Sequence, residues 1–302
     1  MVVYKPHLEI LGSHISGNLI TDLELHLQKR FHNVIKFFNY VRSNPVAPVV
    51  AKLDVFKACV MTTLLHNCEA FGPRIPKGLE EMYFKMLRAA LGVRHNCPKL
   101  TALIEGGCLP LKCLIQCRQL KHYRRFQKSI GDNSARGKIF DHLLENSSEN
   151  SYLKHYVDLD GRYTTDAELI EESLHEVKEN IRQLAANKDK HYKFWMYLQI
   201  NPELSISPFL YRVDPVGKSL IKFRVGSHNL KIETGRWANI PREERLCSSC
   251  HVLEDERHII FDCCQVNRED LPNIQEQSLS SIWKYDKVNT LFDRIRMGEY
   301  VL

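Results

Sequence analysis

The chain has 302 residues, 44% of them hydrophobic and 26% charged, with a formal net charge of +6. That balance is ordinary for a soluble globular protein, and the length suits two or three domains rather than one. No run approaches the roughly 18 uninterrupted apolar residues of a membrane span, so no such span is expected.

In chain order, Leu8-Glu9-Ile10-Leu11-Gly12 with His14-Ile15 predicts a short strand or hairpin. Thr21-Asp22-Leu23-Glu24 is a capping box, in which hydroxyl and carboxylate each satisfy a free backbone N–H. It predicts a helix to about residue 41, with Leu27, Phe31, Val34 and Phe38 on one buried stripe. Asn44-Pro45 and Pro48 break it. A second helix is expected over about 49–70, apolar at Leu53, Phe56, Val60 and Leu64, and ended by Gly72-Pro73. A third follows Pro76. Its buried face is Leu79, Met82, Tyr83, Met86, Leu87 and Ala90, and Gly92 suits the left-handed cap. Pro110 opens a long helix with Leu114, Cys117, Leu120 and Lys121-His122-Tyr123-Arg124-Arg125, stopping near Gly131.

Ser147 to Ser151 and Asp158-Leu159-Asp160-Gly161 read as loop and mark a domain boundary. Thr165-Asp166-Ala167-Glu168 is a second capping box, opening an acidic helix to about residue 186 with Leu169, Leu174, Val177, Ile181 and Leu184 inside. A short aromatic segment over 192–197 contains Phe194 and Trp195. Another helix is expected over about 216–225. The expected fold is therefore mainly α: a helical bundle, a second helical region and a small C-terminal zinc knuckle.

That knuckle is the segment Cys247-Ser248-Ser249-Cys250, then His258, then Cys263. Three thiols and one imidazole this close together can close a tetrahedral zinc site. Cys247 and Cys250 are spaced for a tight turn that aims both sulfurs at one ion. His258 and Cys263 lie about one helical turn plus a residue apart, so they can face the same side. With four protein ligands the site is closed, which makes one zinc structural rather than catalytic. Cys264 is an alternative to Cys263, and His251 to His258. The intact apolar triplet Ile259-Ile260-Phe261 favours Cys263 and His258. A second group, Cys97, Cys108, Cys113 and Cys117, is a weaker metal candidate, since cysteine is often buried without function. The N-terminal residues lack a charged segment followed by an apolar one, so no secretion signal is expected. The ten cysteines then read as reduced thiols of an intracellular protein, in cytoplasm or nucleus.

Charge is uneven. Residues 1–131 hold 19 Lys+Arg against 8 Asp+Glu, while 132–200 hold 9 against 13 and 201–302 hold 14 against 15. A basic first segment suits a polyanion such as RNA or DNA. Arg118, Lys121, Arg125 and Lys128 recur down one face of the helix after Pro110, with Arg124 beside it and Tyr123 and Phe126 interleaved for stacking. The plainer reading is a solvated helix surface. Near the knuckle, Arg236, Arg242 and Arg245 either reach phosphate or brace the fold against Glu233, Glu243 and Glu244.

Leu11-Gly12-Ser13-His14-Ile15-Ser16, a long capped helix, and then Ala58 to His66 together resemble the thumb region of non-LTR (LINE-type) retrotransposon reverse transcriptases. Glu69-Ala70-Phe71 stands where that family has Glu-x-Trp, and Arg88-Ala89-Ala90-Leu91-Gly92-Val93 resembles its Arg-Arg-Ile-Leu-Gly-Ile segment. Phe223-Arg224 to Leu230, Glu233-Thr234-Gly235-Arg236-Trp237, Arg242 to Arg245 and the Cys/His run resemble the family's C-terminal zinc-binding region. The resemblance is thin between about 130 and 200. It implies a thumb-like domain over 1–131, a helical linker region over 132–214 and a zinc-binding domain over 215–302. It also implies that thumb helices grip a template–primer duplex and that the zinc region contacts RNA or DNA.

The family's polymerase motif, an aromatic residue followed by x-Asp-Asp, is absent, and no adjacent Asp-Asp pair occurs in the chain. Two-metal phosphoryl transfer needs such carboxylates. His14, His66, His95 and His122 are isolated in sequence, and no nucleophile elbow or phosphate loop is present. The expectation is a nucleic-acid-binding, zinc-stabilised fragment with no catalytic centre. The alternatives are a zinc-held protein-interaction scaffold or a non-functional remnant of a mobile element.

Overall fold

The computed structural model describes residues 7–10, 13–16, 19–71, 75–128, 137–138, 141–142, 151–212, 215–268, 278–282 and 291–292. The fold is mainly α, as the periodicities predict. An antiparallel hairpin of β1 (His7–Ile10) and β2 (Ser13–Ser16) sets Leu8 opposite Ile15.

Helix α1 (Leu19–Ser43) starts ahead of Thr21, and the side chains of that expected capping box lie outside the described residues. Val34 is buried as its spacing predicts, but Phe31, expected beside it, is 53% exposed. The covered face turns instead toward Arg30 and Phe37, because Phe37 meets Phe56 at 5.9 Å between ring centroids. Helix α2 (Val49–Val55) runs through a π-helical segment, Phe56–Val60, into α3 (Met61–Leu64). Leu53, Phe56, Val60 and Leu64 are all buried. The expected helix over 49–70 stops earlier. The chain turns after Leu64, with Asn67 left-handed at φ 56°, and a 3-10 turn follows at Cys68–Phe71. Asn tolerates that backbone region better than most residues. Gly72-Pro73 lies outside the described residues.

Helix α4 (Lys77–Leu91) buries Leu79, Tyr83, Met86, Leu87 and Ala90, and Gly92 follows it at φ 70°. Helix α5 (Lys99–Gly106) was not foreseen. Its punctuation is in the sequence all the same, with Pro98 before it and Gly107, at φ 55°, after it. Helix α6 (Leu111–Gln127) starts after Pro110 as expected. Helix α7 (Ser151–Arg162) corrects the loop expected at Asp158 to Gly161. Leu159 is buried there with Cys117, Leu120, Tyr163 and Leu169, so packing overrides a polar, glycine-containing composition.

Helix α8 (Asp166–Ala186) carries the second capping box intact. The Glu168 N–H donates to Thr165 Oγ1 at 3.2 Å, and the Glu168 carboxylate accepts from the backbone of Thr164 and Thr165. The aromatic segment forms helix α9 (Tyr192–Ile200). Helix α10 (Pro215–Arg224) matches the expected helix, and α11 (Lys231–Trp237) is an addition.

The chain forms two compact units. One comprises Met1–Arg42, Val55–Met86 and Leu109–Val177; the other comprises Ser43–Asp54, Leu87–Cys108 and Lys178–Leu302. The expected partition into 1–131, 132–214 and 215–302 is contiguous, whereas each unit is assembled from three stretches. Helices α2, α4 and α8 each run across a unit boundary. The first unit packs Tyr83, Phe56 and Phe37 in an aromatic row and the α6–α7–α8 cluster around Leu120. The second buries Leu220, Ile221, Phe223 and Phe292. There Gly106 lets α5 approach Leu87 and Leu91, since a Cβ would sit 3.3 Å from Leu87 Cδ1.

Candidate metal centre

The knuckle is a tight hairpin. The Glu254 N–H donates to the Arg245 carbonyl at 2.9 Å, Leu246 bridges Leu253, and the Cys247 N–H donates to the Val252 carbonyl at 2.7 Å. The turn closes when the His251 N–H donates to the Cys247 carbonyl at 3.0 Å, with His251 left-handed at φ 56°. Cys247 and Cys250 are thereby held on one rim. His251 itself is exposed.

The other two candidates come from a π-helical turn, His258–Asp262. The Asp255 carboxylate accepts from the His258 N–H at 2.9 Å and starts it. The Cys263 N–H donates to the His258 carbonyl at 2.8 Å, a link across five residues. That wider turn explains why a five-residue spacing brings His258 and Cys263 to the same side. Ile259, Ile260 and Phe261 between them are buried.

The ligand atoms of Cys247, Cys250, His258 and Cys263 all lie within 4.8 Å of one another. The Cys263 sulfur is 3.9 Å from that of Cys247 and 4.0 Å from that of Cys250. Tetrahedral bonds of about 2.3 Å to sulfur put neighbouring sulfurs about 3.8 Å apart, so the cluster has the right size for zinc. His258 Nε2 is buried without a hydrogen-bond partner. An orphaned buried nitrogen costs about 1–3 kcal/mol, and a metal bond would remove that cost. The donor set and the geometry both fit one ion. Among the described residues, Cys97, Cys108, Cys113 and Cys117 make no such cluster.

The surroundings are well tied. Arg268 donates to the carbonyls of Ile259, Ile260, Cys263 and Val266, capping the π turn with a cation. Burial raises the Asp255 and Glu254 carboxyls above their ordinary range. Burial pushes Glu256 up most strongly, but the hydrogen bond and charge of His228 at 3.0 Å, with backbone and Tyr192 hydrogen bonds, together outweigh it and leave that carboxyl below its usual range.

The basic residues are mostly engaged within the protein. Arg118 donates to the Leu65 carbonyl at 2.9 Å, Lys121 pairs with Asp166 at 2.8 Å, and Arg124 pairs with Asp160 at 2.7 Å and donates to the Tyr163 carbonyl. Arg125 and Lys128 are exposed. Tyr123, expected to stack on bases, is buried beside Tyr156 at 6.1 Å, and Phe126 is half-buried against His122. Near the knuckle, Arg236 pairs with Glu233 at 2.7 Å, Arg242 lies 4.1 Å over the Tyr192 ring, and Arg245 donates to the carbonyls of Ile240 and Ile232.

Sequence reasoning missed the buried network on α5. Arg224 grips Glu105 through contacts of 2.9–3.1 Å, and Tyr197 donates to the same carboxylate at 2.8 Å. Lys193 pairs with buried Glu233 at 2.7 Å. The available signal was a lone charge inside an apolar run, as in Leu103-Ile104-Glu105 and Phe223-Arg224-Val225. No protein-family model, curated protein or solved structure matches this chain. Among the described residues, no single helix is long and apolar enough to cross a membrane.

Proposed function

We propose that this chain is a zinc-stabilised, nucleic-acid-binding module of the type that follows the palm in non-LTR reverse transcriptases, with no polymerase centre of its own. The observation that carries the zinc is the buried, unpartnered Nε2 of His258 in a cluster with three cysteines whose ligand atoms all lie within 4.8 Å of one another. Four protein donors leave no position for substrate, so the ion's role is to fasten the hairpin to the π turn. The excess of 19 Lys+Arg over 8 Asp+Glu in residues 1–131 supports a polyanionic partner, with Lys121, Arg125 and Lys128 the exposed members of the basic stripe and Lys121 paired with Asp166.

A second reading, a zinc-held protein-interaction scaffold, is favoured by the internal partners of Arg118, Lys121 and Arg124. Binding to a generic duplex at two salt concentrations separates the two. Affinity that falls steeply with salt supports the nucleic-acid reading, and no binding at low salt supports the scaffold. Metal analysis tests the centre. About one zinc per chain is expected, lost in Cys247→Ser and in His258→Ala. Stoichiometric zinc surviving both substitutions would overturn the ligand assignment.

A further inference from the structure

Cys264 takes no part in the four-residue cluster, yet it sits against it. Its sulfur is 3.3 Å from the Cys250 sulfur, and its backbone N–H donates to that same sulfur at 3.3 Å. Cys250 is half-buried and Cys264 exposed, whereas Cys247 and Cys263 are fully covered. The cluster thus presents one ligand sulfur and one spare thiol, in contact with each other, at its solvent-facing side.

We infer that Cys264 is an oxidation site that opens the metal centre by forming a disulfide with Cys250 when a peroxide is present. The inference rests on the zinc reading above. In the first step the Cys264 thiol loses two electrons to hydrogen peroxide. It becomes a sulfenic acid, and the peroxide O–O bond breaks to yield one water. In the second, the Cys250 thiolate attacks the sulfenic sulfur. The S–S bond forms, the S–O bond breaks, and the departing hydroxide takes a proton to give a second water. The electron pair that held Cys250 on zinc now lies in the disulfide. Cys247, His258 and Cys263 remain, and a three-ligand site holds the ion far less tightly. A thiol reductant supplies two electrons, restores Cys250 and lets the site refill.

The geometry makes Cys250 the sulfur that traps the sulfenic acid. Cys247 and Cys263 are each 0% exposed, so the solvent-borne oxidant meets Cys264 before it meets them. The backbone N–H of Cys264 survives substitution of its side chain, so Cys264→Ser keeps the donor to Cys250 while removing the sulfur that peroxide oxidises.

The test uses the full chain, with zinc content measured first. Hydrogen peroxide is added, zinc release is followed with a metal-binding dye, and cross-linked peptides are mapped by mass spectrometry. The expected result is a Cys250–Cys264 cross-link and release that is at least about tenfold slower in Cys264→Ser, with zinc regained after dithiothreitol. Release at the same rate in Cys264→Ser, or a cross-link confined to other cysteines, overturns this inference and leaves the zinc reading standing. A chain that carries no metal before peroxide overturns the zinc reading, and this inference with it.

Discussion

The two units differ in their most buried described ion pairs, although the second also carries the exposed pair Arg182–Glu179. In the unit that contains α6, α7 and the first part of α8, the described ion pairs lie toward solvent. Lys121 is 62% exposed in its pair with Asp166, and Arg124 and Asp160 are 29% and 24% exposed. In the unit that contains α5, α9, α10 and the knuckle, Arg224 and Glu105 are 3% and 0% exposed, and Lys193 and Glu233 are 8% and 2%. Surface pairs contribute little, so the first unit rests on its apolar and aromatic contacts. A buried pair costs desolvation and must keep both partners. The second unit therefore ties its folding to buried charges and, on the proposed zinc reading, to a metal, and its stability should answer to solution conditions that leave the first unit unmoved.

Removing the metal should produce the largest separation. Structural zinc supplies on the order of 10 kcal/mol in small knuckles, so chelation or His258→Ala should strip protection from the backbone amides of 245–263 while α6 and α7 keep theirs. Hydrogen exchange followed by mass spectrometry reads this directly. Equal loss of protection in both units would break the comparison. Glu105→Ala comes next. It strands Arg224 in an apolar site and should cost about 3–5 kcal/mol in urea denaturation, much of it regained when Arg224→Met is added. A single-mutant loss near zero would mean that the pair is wetter than its burial indicates.

A smaller effect sharpens the contrast through pH. Burial, with help from the nearby Lys218 charge, pushes the Lys52 ammonium down from 10.5 to about 8. The folded state therefore holds this proton less tightly than the unfolded one. The penalty is complete below about pH 8 and fades as pH rises toward 10.5, so this group makes stability increase across that window. Lys52→Met should remove that increase and add about 1 kcal/mol at pH 7. An unchanged pH profile in the variant would show that the ammonium is hydrated after all. The smallest change is expected at the surface of the first unit, where Lys121→Ala, at a pair whose lysine is 62% exposed, should cost no more than about 1 kcal/mol. A loss as large as that of Glu105→Ala would erase the distinction between the units.

Much of the helical skeleton was legible in the chain. Leu53, Phe56, Val60 and Leu64 are buried at the spacing that predicted them, and the Thr165–Glu168 box forms as written. These features depend on neighbours within a turn or two. The exceptions have distant partners. Phe31 loses the buried face of α1 to Phe37 because Phe56, on another helix, takes the latter. Asp158 to Gly161 reads as loop, yet Leu159 is drawn into a cluster with α6 and α8.

Each pair of candidate ligands is a local matter as well. A turn of four residues sets Cys247 and Cys250 and a turn of six sets His258 and Cys263, while the meeting of hairpin and π turn brings the two pairs within 4.8 Å. What the sequence could not determine is which charges are spent internally. Arg118 finds the Leu65 carbonyl 53 residues away and Arg224 finds Glu105 119 residues away. The place of Cys264 against Cys250 was likewise decided only when the hairpin met the π turn. Hydrogen-bonding patterns and helical periods act over a few residues and are written in order along the chain. Burial and ion pairing act through space, and only the folded backbone says which residues are neighbours.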